Sequence, residues 1–97
     1  MTLLPETTTL DNQRTSVSIT PTISGYDGDY SYSIQGTSGT AIGQYLQYSI
    51  NSTTGVLQIN RLVAPSVQKQ YQITIAEENS GTDANVVITL LADGILQ

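Results

Sequence analysis

The chain has 97 residues, only 11% of them charged, and a formal net charge of −5. Its three cations, among them the single lysine Lys69, are too few for the clustered Lys and Arg that phosphate neutralisation needs, which excludes nucleic acid and anionic membrane surfaces as expected partners. Cysteine and histidine are both absent, so disulfides, thiolate chemistry, the commonest general base and the commonest metal ligand are excluded with them.

The opening MTLLPETTTL has neither the basic start nor the apolar centre of a signal peptide. Within TSVSITPTI, Val17, Ile19 and Ile23 alternate with Ser and Thr. Pro21 interrupts that run and predicts an edge or bulged strand. Asp27-Gly28-Asp29 reads as a turn, because Asp tolerates left-handed backbone and bonds its own main chain. Tyr30, Tyr32 and Ile34 alternate with Ser31 and Ser33, and Leu46, Tyr48 and Ile50 alternate with Gln47 and Ser49. Between Ile50 and Leu57 stands NSTTG, a turn signal that also contains the formal glycosylation sequon Asn51-Ser52-Thr53.

Leu57 and Ile59 begin the next alternation, and RLVAPSVQKQ follows as the stretch nearest to a helical pattern. Pro65 breaks it, leaving room for a single helical turn. Tyr71, Ile73 and Ile75 alternate with Gln72 and Thr74. Val86, Ile88 and Leu90 form one face of the last strand, while Val87 and Leu91 make its other face apolar as well. YSIQGTSG at 32–39 echoes YSINSTTG at 48–55, read as two strand exits that use the same turn residues. No apolar run approaches the roughly 20 residues of a membrane-spanning helix. Six or seven short strands in this rhythm predict one all-β domain over residues 1–97, a sandwich with a polar outer face on each sheet.

The run from Tyr48 to Leu57 resembles the cadherin-repeat pattern of an aromatic, an aliphatic, Asp or Asn, then Thr-Gly and an aliphatic. Pro5-Glu6, the strand around Tyr30 to Ile34, Leu62, the Tyr71 to Ile75 strand, Asn79-Ser80-Gly81 and the Val86 to Leu90 strand are similar to further stations of that family. Bacterial putative-Ig modules share much of the same pattern. The resemblance covers most of the chain and implies an Ig-like (cadherin-like) antiparallel β-sandwich of about seven strands. It also implies calcium at the module's ends, with Glu6, Asp27 and Asp29 as candidate ligands. The family's other acidic motifs are missing: VAPSVQKQ replaces one, Glu77-Glu78-Asn79 another, and Leu91-Ala92-Asp93-Gly94 a third. A hard cation such as calcium needs six to eight oxygens, several of them charged, so the chain is expected to work without a cofactor.

No catalytic residues are assigned. Glu77 and Glu78 are neighbours on a strand end and point to opposite faces, so they cannot act as a facing carboxylate pair. The abundant Ser and Thr have no histidine to activate them. The expectation is therefore a non-enzymatic structural or interaction module. In one form it is a small stand-alone subunit decorating a larger assembly such as a virion (capsid) surface, as the opening Met1 and the apolar ends suggest. In the other it is a calcium-weak cadherin-like repeat of an extracellular or bacterial surface adhesin. Partner subunits, either further copies of this chain in a homo-oligomer or the capsid or particle surface, are expected at Val87, Leu91, Ile95 and Leu96, unless the chain's own N-terminal strand covers them. Tyr26 and Tyr45, which lie off the alternating pattern, are expected in a contact surface.

Overall fold

The computed structural model describes residues 1–39 and 42–92. Among these residues eight strands form two facing sheets: β1 (Thr2–Leu4), β2 (Thr7–Leu10), β3 (Ser16–Thr22), β4 (Tyr32–Ser38), β5 (Leu46–Ile50), β6 (Leu57–Arg61), β7 (Lys69–Glu77) and β8 (Thr82–Leu90). One sheet has the order β1-β3-β6-β5, the other β2-β8-β7-β4. Strand periodicity does the sorting. Val17 and Ile19, Leu57 and Ile59, and Tyr71, Ile73 and Ile75 all turn inward with Val86, Ile88 and Leu90, so two apolar faces meet in one core.

The N-terminal segment is divided between the sheets. β1 pairs antiparallel with β3, the chain then passes the cis Leu4–Pro5 bond, and β2 pairs parallel with β8 from Thr7↔Val87 to Leu10↔Leu90. This corrects the expectation of an antiparallel sandwich of about seven strands: the second sheet is mixed, and the split first segment makes eight. Leu3 from β1 and Leu10 from β2 are both fully buried, so each half anchors its own sheet.

Pro21 lies in β3, which has neighbours on both sides and is no edge strand. Its missing N–H is harmless for a local reason. Arg61 N donates to Thr15 O, so odd-numbered positions of β3 face β6, and Pro21 faces it too. β6 pairs with β3 only as far as Leu57↔Ile19. Beyond that point Pro21 meets the turn before β6, at Gly55, where no ladder bond is needed.

The single helical turn for which residues 61–70 left room does not form. Those residues leave β6, cross as a loop and enter β7, because Pro65 keeps Ala64 out of the helical region. Among the described residues the one helical turn is α1 (Ile42–Tyr45), where Ile42 and Tyr45, three residues apart, both pack on the core. The two echoing segments also part company. YSINSTTG leaves its strand after Ile50, whereas Gln35 to Ser38 stay in β4, absorbed by a register shift between Ile34 and Gly36.

The NSTTG segment is the tight turn between β5 and β6. Asn51 Oδ1 accepts from the N–H of Thr53 and of Thr54, both at 2.9 Å, and Gly55 N donates to Asn51 O at 2.7 Å. Gly55 has φ +76°, and a Cβ there would stand 2.6 Å from Pro21 Cγ and 2.7 Å from Tyr32 Cδ1. The turn thus packs flat against both sheets at once, and only glycine satisfies both the backbone and the space.

Candidate functional site

The strand ends gather the chain's polar chemistry. At one end stand the β3–β4 loop, the β5–β6 turn and the β7–β8 turn. The phase of β7 carries Tyr71, Ile73 and Ile75 inward and then delivers Glu77 inward as well, 1% exposed, while Glu78 faces solvent. The buried Glu77 carboxylate accepts from the N–H of Ser31, of Asn79 and of Ser80, all within 3.1 Å. Burial by itself pushes its pKa up. The hydrogen bonds from Ser31, Ser80 and Asn79 outweigh that and hold the pKa at about 2, from an ordinary 4.5. Further bonds close the stitch: Glu78 N donates to Ser31 O, and Asn79 Nδ2 donates to Asp29 O, each at 2.9 Å. Glu77 is spent on joining two loops that enter different strands.

Beside that stitch three tyrosine rings meet in a row of tilted contacts. Tyr26 and Tyr30 have ring centroids 5.5 Å apart, Tyr30 and Tyr32 5.7 Å apart, and Tyr30 Oη donates to Tyr26 O at 2.9 Å. Tyr26, expected at a contact surface, is therefore half-buried and turned onto its own loop. Asp27 and Asp29 lie exposed in the loop segment that joins Tyr26 to Tyr30, and Glu6 lies exposed at the β1–β2 crossover. Among the described residues, no group of three or more acidic side chains is placed to hold a metal ion.

The opposite end holds all three cations: Arg14 in the β2–β3 loop, Arg61 closing β6 and Lys69 opening β7. Lys69 Nζ sits 5.5 Å from the centroid of the Tyr45 ring, and Tyr45 is half-buried with its body packed on the core. Gly39, Lys69, Gln70 and Tyr71 line an open cavity of about 250 Å³ beside them. Burial raises the Tyr71 pKa, with Tyr45 adding to the rise, so its hydroxyl stays protonated in neutral solution.

Among the described residues, the outer faces carry neutral side chains except for Asp83 near one end of β8. On one, Ser18 Oγ donates to Gln58 Oε1, and Gln58 Nε2 donates to Asn60 Oδ1 at 3.3 Å. On the other, Thr74 Oγ1 donates to Asn85 Oδ1 at 2.6 Å. Val87 sits on this second face, half-buried beside Thr7, and Leu91 N donates to Leu10 O at 3.1 Å. The chain's own β2 thus occupies the edge next to Val87 and Leu91. Ile95, Leu96 and Asp93 lie outside the described residues.

No protein-family model, curated protein or solved structure matches this chain.

Sequence reasoning passed over Glu77 as a special residue. Its signal was present, since extending the β7 alternation by one step puts a carboxylate inside the core, where only a full set of donors can hold it.

Proposed function

We propose that this chain is an Ig-like (cadherin-like) structural and interaction module. In this reading it is a small subunit that decorates or stabilises a larger assembly such as a virion (capsid) surface, and it carries out no catalysis. The strand order supports the finer fold: β1-β3-β6-β5 against β2-β8-β7-β4 follows the four-on-three arrangement of constant-type Ig sandwiches, with the split first strand added to the second sheet. The observation that carries the functional reading is how the polar groups are used. Among the described residues the one strongly perturbed carboxylate, Glu77, is consumed by three backbone donors, and the broad faces offer neutral Ser, Thr, Asn and Gln ladders. Such faces suit protein contact, because neither charge desolvation nor electrostatic repulsion opposes approach.

The test is particle fractionation of the native source on a density gradient, with quantitative mass spectrometry of each fraction. Co-migration with particles at a fixed copy number is the expected result. A chain found only among free proteins at the top of the gradient would overturn the reading.

The second reading, a calcium-weak repeat of an extracellular or bacterial surface adhesin, is favoured by Asp27 and Asp29 standing exposed at one pole of the sandwich. It predicts a thermal midpoint that rises in millimolar calcium and falls back with chelator. An unmoved midpoint would sink it.

A further inference from the structure

A β-sandwich built this way has four edge strands, and three of them are blunted. β1 is three residues long and runs straight into Pro5, β2 is four residues long and stops at the Asp11 loop, and β4 carries the irregularity between Ile34 and Gly36. The fourth is β5. LQYSI has no proline, glycine or charge, and its register with β6 is unbroken from Leu46↔Arg61 to Ile50↔Leu57. Short length, proline, bulges and charge are the usual means of protecting an edge, and β5 has none of them.

The direction of its free hydrogen-bonding groups follows from two bonds. Leu62 N donates to Tyr45 O at 2.7 Å, and Asn51 N donates to Val56 O at 3.0 Å. Odd-numbered positions of β5 therefore turn toward β6, and the even positions turn away from it. The N–H and C=O of Tyr48 and Ile50 point out of the sheet, and among the described residues no hydrogen bond reaches them. Their side chains, and that of Ile34 on the neighbouring edge, are only half-buried although they pack on the core. Among the described residues, the sandwich is left open along this one side.

We propose that β5 is a dimerisation edge, to which a second copy of this chain adds its own β5 antiparallel about a two-fold axis through Tyr48. In that register Tyr48 meets its own counterpart and exchanges both backbone bonds with it. Ile50 N–H meets the Leu46 carbonyl of the second copy, and Gln47 stands opposite Ser49. Leu46, Tyr48 and Ile50 of both copies then form one apolar stripe under a continuous eight-stranded sheet.

Charge selects this occupant and this orientation. Asp27, Asp29, Glu77, Glu78 and Asp83 lie at the pole where β5 ends; Arg14, Arg61 and Lys69 lie at the pole where it begins, with the Asp11 carboxylate beside Arg14, so that pole stays net positive among the described residues. The nearest of each set flank the edge itself. Lys69 rests on Tyr45, just before β5. Asp29 precedes β4, and Glu78, just after β7, is bonded to the β4 entry through Ser31 O; that entry in turn bonds the turn after β5 through Tyr32 N and Ser52 O at 2.9 Å. Antiparallel pairing sets each acidic pole beside the basic pole of its mate; parallel pairing would set like against like. The inference rests on the fold and the edge alone, not on the assembly reading, and the purified chain tests it without any particle.

The experiment is sedimentation equilibrium of the purified chain from micromolar to millimolar concentration. The expected result is a reversible species of twice the 10.4 kDa chain mass, weakened by added salt. Gln47→Lys combined with Ser49→Lys places like charges opposite one another twice across the axis, on side chains that are exposed in the monomer. That variant keeps the wild-type circular dichroism and raises the dissociation constant about tenfold or more. Gln47→Glu with Ser49→Glu does the same alone, and mixing the two variants restores a heterodimer. A wild-type chain that stays monomeric over the whole range, or a dimer indifferent to both variants, overturns the proposal.

Discussion

Replacing Gly55 by alanine loads two separate costs onto one position, and a second glycine separates them. Gly55 and Gly81 have nearly the same backbone, φ +76° and +72°. An L residue held there costs about 1–2 kcal/mol in either place. The surroundings differ. A Cβ on Gly55 meets Pro21 at 2.6 Å and the Tyr32 ring at 2.7 and 2.8 Å, whereas a Cβ on Gly81 meets nothing within 4 Å. Neither neighbour of Gly55 yields readily, since Pro21 is held within β3 and Tyr32 is buried in the core. Forcing a methyl group into such a space costs about 1–3 kcal/mol more. Gly81→Ala should therefore lose about 1–2 kcal/mol and Gly55→Ala roughly 2–5 kcal/mol. The entropy that alanine removes from the unfolded chain is common to both and cancels in the difference. Urea unfolding of both variants, with matched slopes, measures that difference directly. Equal losses would refute the claim that the NSTTG turn is packed between the two sheets.

Glu77→Gln should destabilise the fold at neutral pH, because an amide supplies one acceptor oxygen where Ser31, Asn79 and Ser80 present N–H groups to two. The wild-type carboxylate has its folded pKa depressed to about 2, so its contribution is complete above about 4.5 and is lost as pH falls from there through 2. Thermal midpoints measured from pH 6 to pH 2 should fall more steeply for wild type than for Glu77→Gln, and parallel curves would contradict this. Asn51→Ala should cost about 1 kcal/mol in urea unfolding, since it strips the shared acceptor from Thr53 and Thr54, while Asn51→Asp keeps that acceptor and should be near neutral. An Asn51→Asp loss as large as the alanine loss would mean that the side-chain acceptor is not what holds the turn.

Strand identity was legible wherever one face is buried and the other is wet. Val17 and Ile19, Tyr71 to Ile75, and Val86 to Leu90 repeat every second residue because their neighbours face water, and all are buried. The N-terminal strands were harder to see. In ETTTL the residues facing in and out are nearly alike, so period two leaves no contrast, although Thr8 turns inward and Thr7 outward. Pro21 misled for a different reason. Whether a proline breaks a ladder depends on how far the adjacent strand extends, and the end of β6 at Leu57 is a property of the sheet. Tyr26 lies off the alternation, so its local partner is not legible from period two. Its ring finds Tyr30 four residues on because the intervening turn folds back, which composition alone does not announce. At the candidate site, opposite directions for Glu77 and Glu78 could be read from adjacency, but the donors that satisfy the inward one come from residues 46 positions away as well as from its own turn.

The division of the first segment between two sheets also governs how the molecule bears force. β2 and β8 run the same way, and they approach opposite ends of the described chain. Tension drawing those ends apart pulls β2 toward one pole and β8 toward the other, along the strand axes. The four register positions from Thr7 to Leu10 are then loaded together in shear, instead of opening one after another like a zipper. A rupture force set by that short parallel seam would hold the sandwich shut under pull, even with modest resistance to heat or urea.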